Sequence, residues 1–358
     1  MSTAIQGMQH GNRLLFVPVS GPRGMGEYAR CLVVATAMAR RRADLVIHFA
    51  LSRAAPQAAT APFPATLLPA SPTFHTREVC ALIGDFRPDV VVFDNAGRTR
   101  QLRAAHAAGA RVIFVSSRPR QRRKAFRLRW MGLIDEHWIA WPEFMAGSLT
   151  PVERLKLRLR RRPRVRFVDT IVPAADPALN AQCLGRLDLR AGEYVLLVPG
   201  GGTGHPGAAD APAIVAGGAR AIAQRGYSTV LTGAAPGDGR DPPRLERTAL
   251  LPLGELCELI RSARLVVCNG GDTLLQTLAC GRACVAVPIA GDQAHRIARC
   301  VRAGLALPAA LDARSIEQTA VSLLEAEPLR ARIEQRLRRC PVRNCMDEVL
   351  AALEALLG

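Results

Sequence analysis

Short apolar runs rich in β-branched residues alternate along the chain with longer stretches in which apolar positions recur every three to four residues. That alternation predicts parallel strands joined by helices. The first set of strands is expected at 13–19 (RLLFVPV), 44–50 (DLVIHFA), 89–94 (DVVVFD), 111–117 (RVIFVSS) and 137–141 (HWIAW), with helical stretches such as 26–42 and 98–108 between them. A second set follows at 194–200 (YVLLVPG), 228–233 (STVLTG), 264–269 (RLVVCN) and 283–289 (ACVAVPI), with helices near 211–225, 254–262, 272–280 and 292–303. Residues 169–178, DTIVPAADPA, hold two prolines and no period, and mark a boundary.

The expected fold class is therefore α/β, with two Rossmann-like parallel-sheet domains over 1–170 and 178–340, the second followed by a helix over 341–358. Such domains bind ligands at the carboxyl ends of their strands, and two in succession imply a cleft between them. A single large doubly wound sheet is the alternative. The amphipathic stretch 313–356 reads as a helical cap.

Charge sharpens this division. Lys plus Arg exceed Asp plus Glu by 48 − 30 = 18, and all but Lys124 and Lys156 of the cations are arginines. Residues 167–358 carry 20 basic and 20 acidic side chains, so the excess lies in residues 1–166; the segment 118–166 alone has 15 basic and 4 acidic side chains. With 358 residues, 49% hydrophobic, the chain has enough material for two cores, which excludes a small disulfide-stapled scaffold. No apolar run reaches the ~18 residues of a membrane span, and the N-terminus lacks the basic start and apolar segment of a secretory signal. A cytoplasmic chain is expected. The ten cysteines are scattered singly without a C-x-x-C pair, so they read as reduced core thiols rather than metal ligands.

Two glycine-rich turns carry candidate chemistry. After the strand ending at Val198 comes PGGGTGHPG, in which Gly201, Gly202 and Thr203 can turn several N–H groups toward one anion. The alternative is a plain flexible turn. The stronger pattern is RLVVCNGGDTLLQTLACGRACVAVPIAGDQAHRIARC, 264–300, which reads as strand, tight turn, helix, strand, loop and helix. Gly270, Gly271, Asp272 and Thr273 sit where strand hands over to helix, a place suited to phosphate. Gln276 follows about one helical turn later, within reach of a ribose, and Asp292 with Gln293 opens the next helix, suited to sugar hydroxyls.

On these residues the chain resembles the GT-B nucleotide-sugar glycosyltransferases, especially the UDP-glycosyltransferase superfamily and the bacterial lipid I N-acetylglucosaminyltransferase, with its family 28 C-terminal domain. Their signature joins a glycine turn, a hydroxyl residue, an acidic residue on the helix and an Asp-Gln or Glu-Gln pair after a V-P strand. Here Gln276 holds the acidic position, 293 − 276 = 17 residues before Gln293. The likeness covers the stretch from PGGGTG to GDQ well and the first half in outline. It implies Gly270, Gly271 and Thr273 for the diphosphate, Gln276 for ribose, Asp292 and Gln293 for the donor sugar, and Leu251 and Leu253 of LLPLGELCELI for the base. Two departures stand out: the family's strand-end His is Cys268, and Gln276 replaces a Glu.

In the first half, VPVSGPRGMGEYARC, 17–31, resembles the family's first glycine-rich loop, with Glu27 in place of its catalytic histidine. A buried carboxylate there can deprotonate an acceptor hydroxyl; a residue that merely complements a helix dipole is the alternative. Asp94, ending its strand, is the candidate assistant or else a cap for the next helix. His75 and His106 are lesser candidates. The resemblance thus implies an inverting, metal-independent glycosyltransferase with a nucleotide-sugar co-substrate and no cofactor, its metal site none. The competing classes are a nucleotide-sugar epimerase or hydrolase and a non-catalytic nucleotide-sugar-binding subunit.

The basic segment suggests where the acceptor is met. RPRQRRKAFRLRWM, 118–131, and VERLKLRLRRRPRVRF, 152–167, mix arginine with apolar residues, the composition of a helix lying on anionic headgroups. Arg122, Arg123, Lys124, Arg127, Trp130, Arg158, Arg160 and Arg161 are the expected membrane contacts. Nucleic-acid phosphates are the second possibility, disfavoured by the absence of an RNA or DNA module motif, and a solvated arginine face is the third.

Overall fold

A computed structural model describes residues 12–21, 26–55, 58–200, 210–234, 241–291, 293–339 and 342–358. Gly201, Gly202, Thr203 and Asp292 lie outside the described residues. The chain divides into two compact units: Met1–Ala140, Ser148–Val168 and Met346–Gly358 form one, and Trp141–Gly147 with Asp169–Cys345 the other.

In chain order the elements begin β1 (Arg13–Pro18), α1 (Gly26–Arg41), β2 (Val46–Ser52), β3 (Ala65–Leu68), α2 (Thr76–Phe86), β4 (Val90–Asp94), α3 (Thr99–Ala107) and β5 (Arg111–Ser116). They continue with α4 (Pro119–Ala125), α5 (Leu128–Met131), β6 (Glu136–Ile139), α6 (Glu143–Ala146), α7 (Pro151–Arg160) and β7 (Arg164–Phe167). The remainder comprises α8 (Pro177–Arg186), β8 (Tyr194–Val198), α9 (Ala211–Gln224), β9 (Ser228–Thr232), β10 (Leu245–Thr248), α10 (Leu253–Ser262) and β11 (Leu265–Asn269). Last come α11 (Asp272–Ala279), β12 (Cys284–Val287), α12 (Gln293–Arg302), β13 (Leu307–Pro308), α13 (Ala313–Glu325), α14 (Glu327–Arg339) and α15 (Met346–Leu357).

Both sheets are parallel. The first unit has the order β3-β2-β1-β4-β5-β6-β7 and the second β10-β9-β8-β11-β12-β13. In each, strand order reverses between two central strands, β1 and β4 or β8 and β11, and the crevice at such a reversal is where open α/β sheets bind ligands. The central strands are buried on both faces, as in VVVFD of β4 and LVVCN of β11, which explains why they read as continuous apolar runs. Helices cover them: Phe93, Phe114 and Leu102 pack together in the first core, and Leu197, Val267 and Leu274 in the second.

Helix starts follow local chemistry. Asp176, in the proline-containing boundary segment, accepts from the N–H groups of Ala178 and Leu179, with Pro177 at the first helical position of α8. Thr150 and Glu153 form a reciprocal capping box at α7. Two sequence expectations change here. The stretch 313–356 is three helices, the last of which, α15, belongs to the first unit, where Arg41 reaches Asp347 at 2.7 Å. The basic stretch 152–167 is helical only to Arg160, because Arg161 turns to a left-handed φ of 55° and Arg164–Phe167 pairs with β6 as an edge strand.

Candidate active site

The first unit concentrates charge at the carboxyl end of its reversal point. Asp94, the last residue of β4, is 1% exposed and takes a two-point grip from Arg30 of α1, Nε to Oδ2 at 2.8 Å and Nη2 to Oδ1 at 2.9 Å. A carboxylate so deeply buried needs such a partner. The Cys31 thiol also approaches its Oδ2, at 3.7 Å. Asp94 therefore does not cap the helix that follows; Arg98, at the start of α3, is bonded through Gln101 instead.

Glu27 enters the same cluster from the first turn of α1 and is 9% exposed. Its carboxyl pKa is raised, first by burial and then by the negative charge of Asp94, against the opposing pull of Arg30, its own backbone N–H and Arg118. Asn95 Nδ2 donates to its Oε1 at 2.9 Å, and the exposed Arg118 guanidinium stands 3.5 Å from the same oxygen. A carboxylate held by a neutral donor and kept from full solvation has the properties of a general base.

Asn95 organises this corner. Its backbone takes a left-handed φ of 51°, a conformation asparagine tolerates better than most residues. Its Oδ1 accepts from Ser117 N at 2.9 Å, its Nδ2 reaches Ser117 Oγ at 2.5 Å, and its carbonyl accepts from Gln121 Nε2 at 2.9 Å. One side chain thus ties the ends of β4 and β5 to Glu27. Arg30, Asn95 and Ser117 are absent from the expectations drawn from sequence; the signal for Asn95 is the run D-N-A-G at a strand end, a turn pattern that favours left-handed asparagine. His75 bonds Glu78 and the Ala70 N–H, a local structural arrangement outside this cluster.

The second unit builds its corner from neutral groups. Gly270 and Gly271 join β11 to α11, and a side chain on either forces its neighbours to shift: a Cβ on Gly270 would lie 2.8 Å from Ile297, and one on Gly271 2.6 Å from Asn269 Oδ1. Their N–H groups are engaged inside the protein. Gly270 N donates to Gln293 Oε1 at 3.2 Å and Gly271 N to Asn269 Oδ1 at 2.7 Å. Thr273 stands at the second position of α11, at the positive end of the helix dipole. Asp272, at the first position, complements the helix dipole.

Asn269 and Gln293 are the clamps of this corner. Asn269 Nδ2 donates to Pro199 O at 3.2 Å, which fixes the loop leaving β8 against the turn leaving β11; Gly200 has φ 135°, and a Cβ on it would lie 3.1 Å from the same amide. Gln293 Oε1 accepts from Ile289 N at 2.9 Å as well as from Gly270 N. Two backbone bonds engage its oxygen, and its Nε2 lies near Gly271. Gln276 is 9% exposed on α11, Leu251 packs on the edge of the core, and Leu253 starts α10, partly buried. Asn269 was not among the expected site residues, although C-N-G-G at a strand end is its signal.

The arginine-rich segment divides into two kinds of residue. Trp130, expected at a membrane, is instead core: 3% exposed, edge-on to Phe114, with Nε1 donating to Thr99 Oγ1 at 2.9 Å. Arg122 is likewise structural, since it grips Glu153 through two bonds, donates to Ser148 O and lies over the Phe167 ring. Lys124 is half-buried, its pKa lowered by burial and by Arg98, Arg120 and Arg127. Arg123, Arg127, Arg158, Arg160 and Arg161 are exposed.

No family model matches the chain, and no curated protein matches it by sequence. Solved structures do match it in fold. The glycotransferase of kitacinnamycin superposes with a TM-score of 0.64 at 16% identity, over 97% of this chain and 100% of its own. A UDP-glucosyltransferase from Polygonum tinctorium capable of glucosylating indoxyl superposes with a TM-score of 0.66 at 14% identity, over 97% and 98%. A protein of Listeria monocytogenes assigned as a UDP-N-acetylglucosamine 2-epimerase superposes with a TM-score of 0.60 at 13% identity, over 96% of each chain. The fold is GT-B, as the two parallel sheets imply.

Proposed function

We propose that this chain is an inverting, metal-independent glycosyltransferase that moves a sugar from a nucleotide-sugar donor, in our reading a UDP-sugar, to a hydroxyl acceptor. The observation that carries the proposal is Glu27: a buried carboxylate of raised pKa, held by Asn95 at the reversal point of the first sheet in a chain of GT-B fold. Its ionised form takes the proton of the acceptor hydroxyl as that oxygen attacks the anomeric carbon. The bond from that carbon to the diphosphate breaks, and its electron pair leaves on the phosphate oxygen. One displacement inverts the carbon. Asp94 is a positioning group in this scheme, locked by Arg30 and acting on Glu27 through its charge.

The second unit holds the donor. The N-terminus of α11, Thr273 and the loop containing Gly201, Gly202 and Thr203 stabilise the departing diphosphate by N–H dipoles, which supports catalysis without a metal; the sequence has no D-x-D. Gln276 meets the ribose, Leu251 and Leu253 the base, and Asp292 and Gln293 the sugar. The acceptor side belongs to the basic first unit, at the cytoplasmic face of a membrane.

A panel of nucleotide sugars tests this reading by calorimetry and by product analysis. The expected result is micromolar binding of one UDP-sugar and sugar transfer abolished in Glu27→Gln; binding of none overturns it. The likeness to an assigned 2-epimerase favours one second reading, epimerisation or hydrolysis of the donor, for which an epimer or free sugar formed without acceptor is the distinguishing product.

A further inference from the structure

Helix α7 has no buried residue, and three of its apolar side chains are exposed. Val152, Leu155 and Leu159 are 60%, 56% and 74% exposed, and their spacing of three and four places them in one stripe. Glu153, Lys156 and Leu157 are the partly buried positions. They hold the helix in place: Glu153 bonds Arg122, and Lys156 Nζ donates to Phe126 O at 3.2 Å, the junction between α4 and α5. Just past that junction Leu128 is 48% exposed between the exposed Arg127 and Arg129. Arg154 and Arg158 flank the stripe on α7 itself, both exposed.

We infer that this stripe is a membrane-docking surface, with the bilayer face rich in anionic lipid as its occupant. A solvent-facing helix ordinarily turns its leucines inward; here the bonds that anchor it come from a carboxylate and an ammonium, only Leu157 of its leucines is partly buried, and Leu155 and Leu159 are exposed. Aliphatic side chains rimmed by arginine match an interface of acyl chains under anionic headgroups. The charge rules against the other occupants. In a symmetric pair of copies the arginines of α7 would meet their own counterparts, and the one acid of the helix, Glu153, is already bonded to Arg122. Nucleic acid would satisfy the arginines and leave three aliphatic side chains uncovered, with no aromatic platform on the helix for bases. The surface also differs from the one expected from composition, because Arg122 and Trp130 are excluded from it and Val152, Leu155 and Leu159 are its centre.

The inference deepens the membrane part of the proposed function and rests on it only there, since docking needs no sugar transfer. Flotation of the full chain tests it, on vesicles of phosphatidylcholine alone and with phosphatidylglycerol. The expected result is recovery with the anionic vesicles and not with neutral ones, falling about tenfold in Leu155→Asp/Leu159→Asp and in Arg154→Glu/Arg158→Glu. Because all four positions are exposed, circular dichroism and thermal unfolding are expected to be unchanged, which separates lost docking from lost folding. Failure to float on anionic vesicles overturns the inference, as does flotation undiminished by the leucine substitutions. Retention on RNA in place of lipid, or a concentration-dependent dimer broken by those substitutions, overturns it in favour of the other occupants. UDP-sugar binding measured without vesicles reports on the donor reading separately.

Discussion

The two units place different chemistry at the same point of the same topology. At the carboxyl end of the β1/β4 reversal stand Glu27, Asp94, Arg30 and Arg118, a cluster of charges; at the β8/β11 reversal stand Asn269, Gln293, Gly270, Gly271 and Thr273, with the acid Asp272 set at the helix start. Each corner is organised by an asparagine at or just after the strand end, Asn95 in one and Asn269 in the other. The difference lies in what the asparagine holds. Asn95 holds a carboxylate whose pKa is raised, which suits proton transfer, whereas Asn269 holds backbone so that glycines and a helix start are fixed in place. In the donor-binding role proposed above, an anion there would meet dipoles of the helix start, in keeping with the 20 − 20 = 0 charge of residues 167–358.

The sharpest way to break this comparison is Glu27→Gln. Loss of a general base lowers kcat by about 10²- to 10⁴-fold, while donor affinity, a property of the other corner, stays within about twofold. Stability is expected to move the other way. Because the fold raises the Glu27 pKa, the neutral carboxyl is the favoured form; that contribution is present below the unfolded value and is lost as pH rises through the raised one. The glutamine variant, neutral at every pH, is thus at least as stable as the parent at pH 7 by thermal unfolding. A variant that loses donor binding as well would show that the two corners are not separate.

The converse substitution, Gly271→Ala, acts on the neutral corner. Its Cβ meets Asn269 Oδ1 at 2.6 Å, so the bond from Gly271 N is broken or the turn shifts. Donor affinity measured by calorimetry is expected to fall about tenfold or more, with a loss of about 1–3 kcal/mol in unfolding free energy. The acid limb of the pH–rate profile, set by Glu27, is expected to stay where it is.

How far these corners are legible in sequence depends on whether a feature is made by one stretch of chain or by several. The nine strands foreseen from apolar runs are the interior ones, buried along most of their length. The four that escaped, β3, β7, β10 and β13, are the sheet edges: ATLL, RVRF, LERT and LP are short and partly solvated, and RVRF carries two arginines that read as surface. Gly270 and Gly271 stand out in sequence because a strand-to-helix turn is local. The pairing of Arg30 with Asp94, 64 residues apart, and of Asn95 with Glu27, 68 apart, is not. Trp130 misled for the same reason: its arginine neighbours are exposed, while the ring itself packs on Phe114 of β5.

Asn269→Ala gives a smaller effect that sharpens the same contrast. It removes the acceptor for Gly271 N and the donor to Pro199 O without introducing a clash. Each lost bond is worth about 1 kcal/mol, so a roughly fivefold to thirtyfold weaker donor and an unchanged pH profile are expected. If transfer at saturating donor also fell a hundredfold, Asn269 would belong to the reacting corner and the division would fail.

Asn95→Ala is the counterpart in the first unit, and its readout distinguishes positioning from mere support. The Asn95 amide donates to Glu27 Oε1 and so favours the ionised carboxylate; removing it raises the Glu27 pKa further. Activity requires the ionised form, so the acid limb of kcat/KM is expected to move upward by about 0.5–1 pH unit. Ser117 loses a partner at the same time, and some fall in kcat at optimal pH follows from the loosened link between β4 and β5. That fall alone would fit any structural residue. The displaced limb would not, because a support lost at a distance slows the reaction equally at every pH, whereas a donor taken from the base changes the pH at which the base is ready.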